Sequence, residues 1–84
     1  MDDTELRSIV IATLKEIAPE IEEAGLRPER PLRQQVDLDS MDWLNFLVGL
    51  AGRLAVEIPE ADYRKLATVN DLVAYLRDAR RRAG

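Results

Sequence analysis

The sequence predicts an all-α fold: a four-helix bundle of three long helices and a short third helix, with a long first loop. Three observations predict it. Apolar residues recur at spacings of three and four in three separate segments, the periodicity of helices that bury one face. Each segment opens beside an aspartate or threonine, side chains that satisfy the free amides of a helix start. All four prolines, Pro19, Pro28, Pro31 and Pro59, fall between the segments, where a missing N–H breaks no helical hydrogen bond.

The first helix is predicted over residues 4–18, where Leu6, Ile9, Val10, Thr13, Leu14 and Ile17 share a face. Asp2 or Asp3 can cap its start, and Pro19 stops it or opens a further turn through Glu20, Glu22 and Glu23 to Gly25. Residues 25–38 hold Pro28 and Pro31 and read as a loop. Leu26, Leu32, Val36 and Leu38 are spaced singly along it, which suits an ordered loop pinned to a core.

The second helix is predicted from Ser40, capped by Asp39, to about Ala55. Phe46, Leu47, Leu50 and Leu54 make its core stripe. Met41, Leu44 and Val48 form a second apolar line that the core does not need, and an exposed apolar line suggests a docking surface. Gly49 and Gly52 each cost this helix about 1 kcal/mol relative to alanine, which close approach of another backbone would offset. Pro59 breaks the chain, and residues 60–66 are predicted as the short third helix. The last helix opens at Thr68 with Asp71 three residues on, a capping-box-like pair. Val69, Leu72, Val73 and Leu76 supply its buried face, and Arg77, Arg80, Arg81 and Arg82 close it as a solvated tail.

Eighty-four residues with 46% apolar content predict one domain, 1–84, around one core. No apolar run is long enough to span a bilayer, and the acidic start Met1-Asp2-Asp3-Thr4-Glu5 lacks a signal-peptide layout. A cytoplasmic address is the default expectation, and a monomer is expected. Cysteine and histidine are both absent. That excludes thiol catalysis, thiolate metal sites and a Ser-His-Asp arrangement within the chain, so no metal site and no enzyme activity are expected. Residues 37–62 carry six acids (Asp37, Asp39, Asp42, Glu57, Glu60 and Asp62) against Arg53 alone. Such a block repels nucleic-acid phosphates and attracts a basic partner.

Asp37-Leu38-Asp39-Ser40-Met41-Asp42, at the start of the second helix, resembles the prosthetic-group signature of the acyl carrier protein family. The similarity extends to the long loop before the motif, to Val56-Glu57-Ile58-Pro59-Glu60 after the second helix, and to Ala67-Thr68-Val69-Asn70-Asp71-Leu72 opening the last. An isolated Asp-Ser pair before a helix is what any capped helix start offers; the whole-chain pattern sets this one apart. The resemblance implies that a separate phosphopantetheinyl transferase joins Ser40 to phosphopantetheine from coenzyme A. The arm's thiol would then hold an acyl group as a thioester for acyl-loading and acyl-transferring enzymes. It further implies that Asp39, matching the motif aspartate, assists placement in the transferase complex. A phosphodiester on Ser40 would lie at a helix N-terminus, where backbone N–H groups and the dipole favour an anion.

Members of this family carry several glutamates along the second helix, where this chain reads Asn45, Ala51, Gly52 and Arg53. Docking is therefore expected to rest on Met41, Leu44 and Val48, flanked by Asp42 and Glu57. Trp43, nearly one turn after Ser40, is expected near the cleft between the second and third helices, narrowing it or contacting the arm, or packed against Tyr63 and loop side chains. The thinned acidic face suggests a specialised carrier of lipid or secondary-metabolite synthesis. Peptidyl carriers have glycines before the serine, which Val36-Asp37-Leu38-Asp39 lacks, so an acyl cargo is preferred to an aminoacyl one. The alternative from another class is an unmodified helical module that uses the second helix only for docking.

Overall fold

The computed structural model describes residues 1–83. Three helices of 15 residues form the frame: α1 (Asp3–Ile17), α3 (Ser40–Leu54) and α4 (Val69–Ala83). Between the first two lie a 3-10 turn, Glu23–Gly25, and a one-turn helix, α2 (Leu32–Gln35). A 3-10 helix, Glu60–Lys65, links α3 to α4. The bundle expected from the sequence is present, and α1 packs against both α3 and α4.

The helix starts follow the capping chemistry. Asp2, not Asp3, caps α1: its Oδ1 accepts the Glu5 N–H at 2.9 Å. The Asp39 carboxylate accepts the Asp42 N–H at 2.7 Å at the start of α3. At α4 the bonding is reciprocal. Thr68 Oγ1 accepts the Asp71 N–H at 2.9 Å, while Asp71 Oδ2 accepts the Thr68 N–H at 3.2 Å and the Ala67 N–H at 3.3 Å. The C-terminus of α3 is closed by Ala55 in the left-handed region, φ 53° and ψ 47°, with the Val56 N–H donating to the Ala51 carbonyl at 3.1 Å.

The core takes one face from each long helix. Leu6, Val10 and Leu14 of α1, Phe46, Leu47 and Leu50 of α3, and Val69, Leu72 and Leu76 of α4 are buried. Leu32, Val36 and Leu38 are buried as well, so the long loop is anchored as its spaced apolar residues require. The Leu32 N–H donates to the Ala67 carbonyl at 2.8 Å, beside an antiparallel bridge between Pro31 and Thr68. The Gln35 amide ties the loop to itself. Its Oε1 accepts the Arg27 N–H at 2.7 Å, and its Nε2 donates to the carbonyls of Arg27 and Arg30 at 2.9 and 3.0 Å.

Three local expectations need correction: the unbroken loop, the glycines of α3 and the arginine tail. The loop contains α2, a helix of one turn and too short to leave a periodic pattern. The short third helix is present as expected, wound as a 3-10 helix as short connectors commonly are. The glycines of α3 face no neighbouring backbone: a Cβ on Gly49 would meet the Thr13 Cγ2 at 3.3 Å, and one on Gly52 would meet open space. The last arginines are not all a solvated tail. Arg77 Nη1 pairs with Asp3 at 3.0 Å, and Arg80 Nη1 donates to the Leu54 carbonyl at 3.3 Å.

Candidate functional site

Ser40 is the first residue of α3 and is exposed. The preceding segment delivers it there: Val36 and Leu38 are buried while Asp37, Asp39 and Ser40 face outward, so the chain enters the helix pinned on its apolar residues. The amides of the first helical turn have no carbonyl four residues back within the helix. Asp39 takes that of Asp42, and its backbone carbonyl takes that of Trp43 at 3.0 Å. The amides of Ser40 and Met41 stay available to an acceptor outside the helix. An exposed hydroxyl beside two free amides at the positive end of a 15-residue helix suits a phosphate ester. Among the described residues no group of three carboxylates gathers into a metal site.

The sequence-predicted partner residues divide in space. Met41, Leu44 and Val48 lie on one exposed line of α3, at 64%, 39% and 58% exposure. No other large apolar side chain is as open among the described residues except Met1. Asp42 is half-buried beside that line at the Ser40 end. Glu57 is exposed three residues past the opposite end of α3, a helix that runs about 21 Å from Ser40 to Leu54 at 1.5 Å per residue. The structure therefore separates the two flanking acids by the length of the helix. Arg53, standing where the family carries acid, is turned toward α1. It donates to Thr13 Oγ1 at 3.0 Å and pairs with Glu16.

Trp43 is half-buried, its ring tilted 42° on Phe46 with centroids 5.3 Å apart. Its other neighbours are those of a surface groove that it shares with Tyr63, Pro31 and Leu66. Trp43 therefore lines, together with Tyr63, the groove between α3 and the 3-10 helix. Arg33 and Arg64 also line the groove. Sequence reasoning missed both, because three separate segments converge there and no local pattern marks them.

Comparison with known proteins agrees with this geometry. A family model described as the phosphopantetheine attachment site matches residues 5–76, from α1 to the middle of α4. The meromycolate extension acyl carrier protein of Mycolicibacterium aurum is 36% identical over 70 residues, covering 80% of this chain and 72% of the relative. The acyl carrier protein of Helicobacter hepaticus is 30% identical over 71 residues, covering 84% of this chain and 87% of the relative. That of Myxococcus xanthus is 29% identical over 73 residues, covering 83% and 92%. With this helical architecture, a family match across most of the chain and relatives that are themselves acyl carriers, the chain belongs to the phosphopantetheine-binding acyl carrier protein family.

Proposed function

We propose that Ser40 is the attachment point of the phosphopantetheine arm, and that the chain delivers an acyl group along a pathway of lipid synthesis. The observation that carries the proposal is the exposed Ser40 hydroxyl at the N-terminus of α3, within a chain matched to the family from residue 5 to residue 76. The group supplies a thiol, which this cysteine-free chain lacks, and the thiol holds the cargo as a thioester. The chain's own residues present the hydroxyl to a separate phosphopantetheinyl transferase, fix its position through the Asp39 cap, and offer the Ser40 and Met41 amides to the phosphate. The chain has no histidine to take the serine proton, so that task falls to the transferase.

Acyl-handling enzymes would dock on Met41, Leu44 and Val48, with Asp42 at the near end and Glu57 at the far end. The exposed apolar line supports this, since burying it costs no internal packing. Some relatives are named for meromycolate extension, which supports an acyl cargo and a lipid pathway.

Incubating the apo protein with coenzyme A, magnesium and a broad-specificity phosphopantetheinyl transferase tests the attachment. The expected result is an intact-mass gain of one phosphopantetheine that is absent in Ser40→Ala. No gain in folded protein, repeated with a transferase from the same source organism, would overturn the proposal.

A further inference from the structure

A phosphodiester on Ser40 enters an acidic neighbourhood. Asp37, Asp39 and Asp42 all lie within three residues of the serine. Asp37 and Asp39 are exposed and Asp42 is half-buried, and none of the three forms an ion pair among the described residues. The Asp39 carboxylate accepts the Asp42 N–H, which places its charge without neutralising it. A further negative charge at Ser40 is repelled by all three carboxylates unless a cation stands close by.

Arg33 is placed to be that cation. Its Nη2 donates to the Leu38 carbonyl at 3.5 Å, and Leu38 precedes Ser40 by two residues, at most about 7 Å of chain. Among the described residues no other arginine or lysine hydrogen-bonds the segment that carries Ser40: Arg53 and Arg77 are committed to Glu16 and Asp3, and Arg80 to Leu54. The Leu38 contact is longer than the roughly 2.7–3.2 Å of a settled N–H···O bond, and most of the guanidinium donors are free. Arg33 is exposed and pairs with no carboxylate among the described residues. A phosphate is a better partner than a carbonyl, because the bond is charge-assisted and two parallel N–H groups match two phosphate oxygens.

Arg33 also gives a direction. It lines the same groove as Trp43, and at about 100° per residue Trp43 stands at least about 100° around α3 from Met41, Leu44 and Val48. A phosphate drawn toward Arg33 therefore takes the root of the arm off the exposed apolar line.

We propose that Arg33 holds the phosphate of the modified carrier. Its free N–H groups donate to the non-bridging oxygens of the Ser40 phosphodiester. They offset the charge of Asp37, Asp39 and Asp42 and fix the root of the arm on the side of α3 away from the docking line. The contact concerns the phosphate alone and is the same whatever the thiol carries. The inference rests on attachment at Ser40, and its test keeps the two apart.

The protein is prepared in the apo form and, with a transferase and unacylated coenzyme A, in the modified form, intact mass reading the modification. The NMR signal of the Arg33 Nε–H, recorded at low temperature and mildly acidic pH where its exchange is slow, is compared between the two. The phosphorus-31 signal of the phosphodiester is compared among the unsubstituted protein, Arg33→Gln, Arg33→Lys and Arg81→Gln. Arg81 is exposed near the end of α4, next to Arg80, which reaches α3 at Leu54. Its loss changes the net charge equally, but at the end of α3 opposite Ser40. The expected result is an Arg33 Nε–H shift on modification and a phosphorus signal that moves in Arg33→Gln, moves less in Arg33→Lys and stays in Arg81→Gln. An Arg33 signal identical in the apo and modified protein would overturn the proposal, and that comparison needs no variant to fold. A phosphorus signal unmoved by Arg33→Gln, or moved equally by Arg81→Gln, would overturn it too. Each of these outcomes leaves attachment standing, since the mass gain is present. Absence of a mass gain would overturn attachment, and the Arg33 proposal with it.

Discussion

At the scale of single residues, Asp39 combines two roles that substitution can separate. Its carboxylate caps α3 through the Asp42 N–H, and it precedes the serine proposed for modification. Asp39→Ala removes the cap and is expected to cost about 1 kcal/mol in urea denaturation. Asn caps a helix about as well, so Asp39→Asn should keep stability within a few tenths of a kcal/mol. If the charge serves the transferase complex, the rate of mass gain falls in both variants; an unchanged rate in Asp39→Asn would confine Asp39 to capping.

Tyr75 and Asp62 form the other residue-scale device. The Tyr75 hydroxyl donates to Asp62 Oδ2 at 2.6 Å, joining α4 to the 3-10 helix. Burial of the phenol, and then the carboxylate accepting its proton, push the Tyr75 pKa up to about 12. The same hydrogen bond first, and Lys65 beside it, hold Asp62 below the usual carboxylate range against the opposing effect of burial. The folded chain thus holds the Tyr75 proton more tightly than the unfolded chain. This contribution to stability is full below the ordinary tyrosine value of 10.0 and is lost as pH rises from there to about 12. The Asp62 contribution is present above its ordinary value of 3.8 and is lost as pH falls through its lower native value. In a Tyr63→Phe background, phenolate absorbance reports Tyr75 alone. Its midpoint is expected near 12 and should fall when Asp62→Asn is added.

At the scale of elements, α3 carries two glycines in different surroundings. Gly52 faces open space, so Gly52→Ala is expected to stabilise the protein by roughly 0.5–1 kcal/mol through backbone entropy. A Cβ on Gly49 would stand 3.3 Å from the Thr13 Cγ2. Thr13 cannot turn away, because its hydroxyl donates to the Ile9 carbonyl at 2.7 Å and accepts from Arg53 at 3.0 Å. Gly49→Ala should therefore leave stability unchanged or lower it, and urea midpoints of the two variants measured together check the difference. Gly49 thus marks where α1 and α3 approach. The sequence exposed the cost of a mid-helix glycine, but the side chain that needs the space is 36 residues away.

For the whole molecule, a chain of this length holds about 4–13 kcal/mol of net stability. Phe46 is fully buried and supports Trp43, so Phe46→Ala, at about 3–5 kcal/mol, should remove a large share of that stability and take away the ring on which Trp43 rests. Val48 is open on the same helix. Val48→Ser is expected to change stability by less than about 0.5 kcal/mol, yet to slow acyl transfer by a partner enzyme if α3 is the docking face. Thermal denaturation of both variants, with a transfer assay on Val48→Ser, tests the pair.

Much of this was legible locally. The period of three and four marked the buried faces of α1, α3 and α4. Asp39 and the Thr68–Asp71 pair marked two helix starts, and the Asp-Ser-Met motif marked the candidate site. All of these depend on residues a few positions apart, so the sequence by itself determined them. The tertiary structure decided what stands across from each face. It put Arg33 and Arg64 beside Trp43, turned Arg53 to Thr13 and Glu16, placed Glu57 a helix length from Ser40, and left Met41, Leu44 and Val48 uncovered. Those outcomes depend on how separate segments pack around a shared core, and helical period constrains which face is buried without specifying its neighbour.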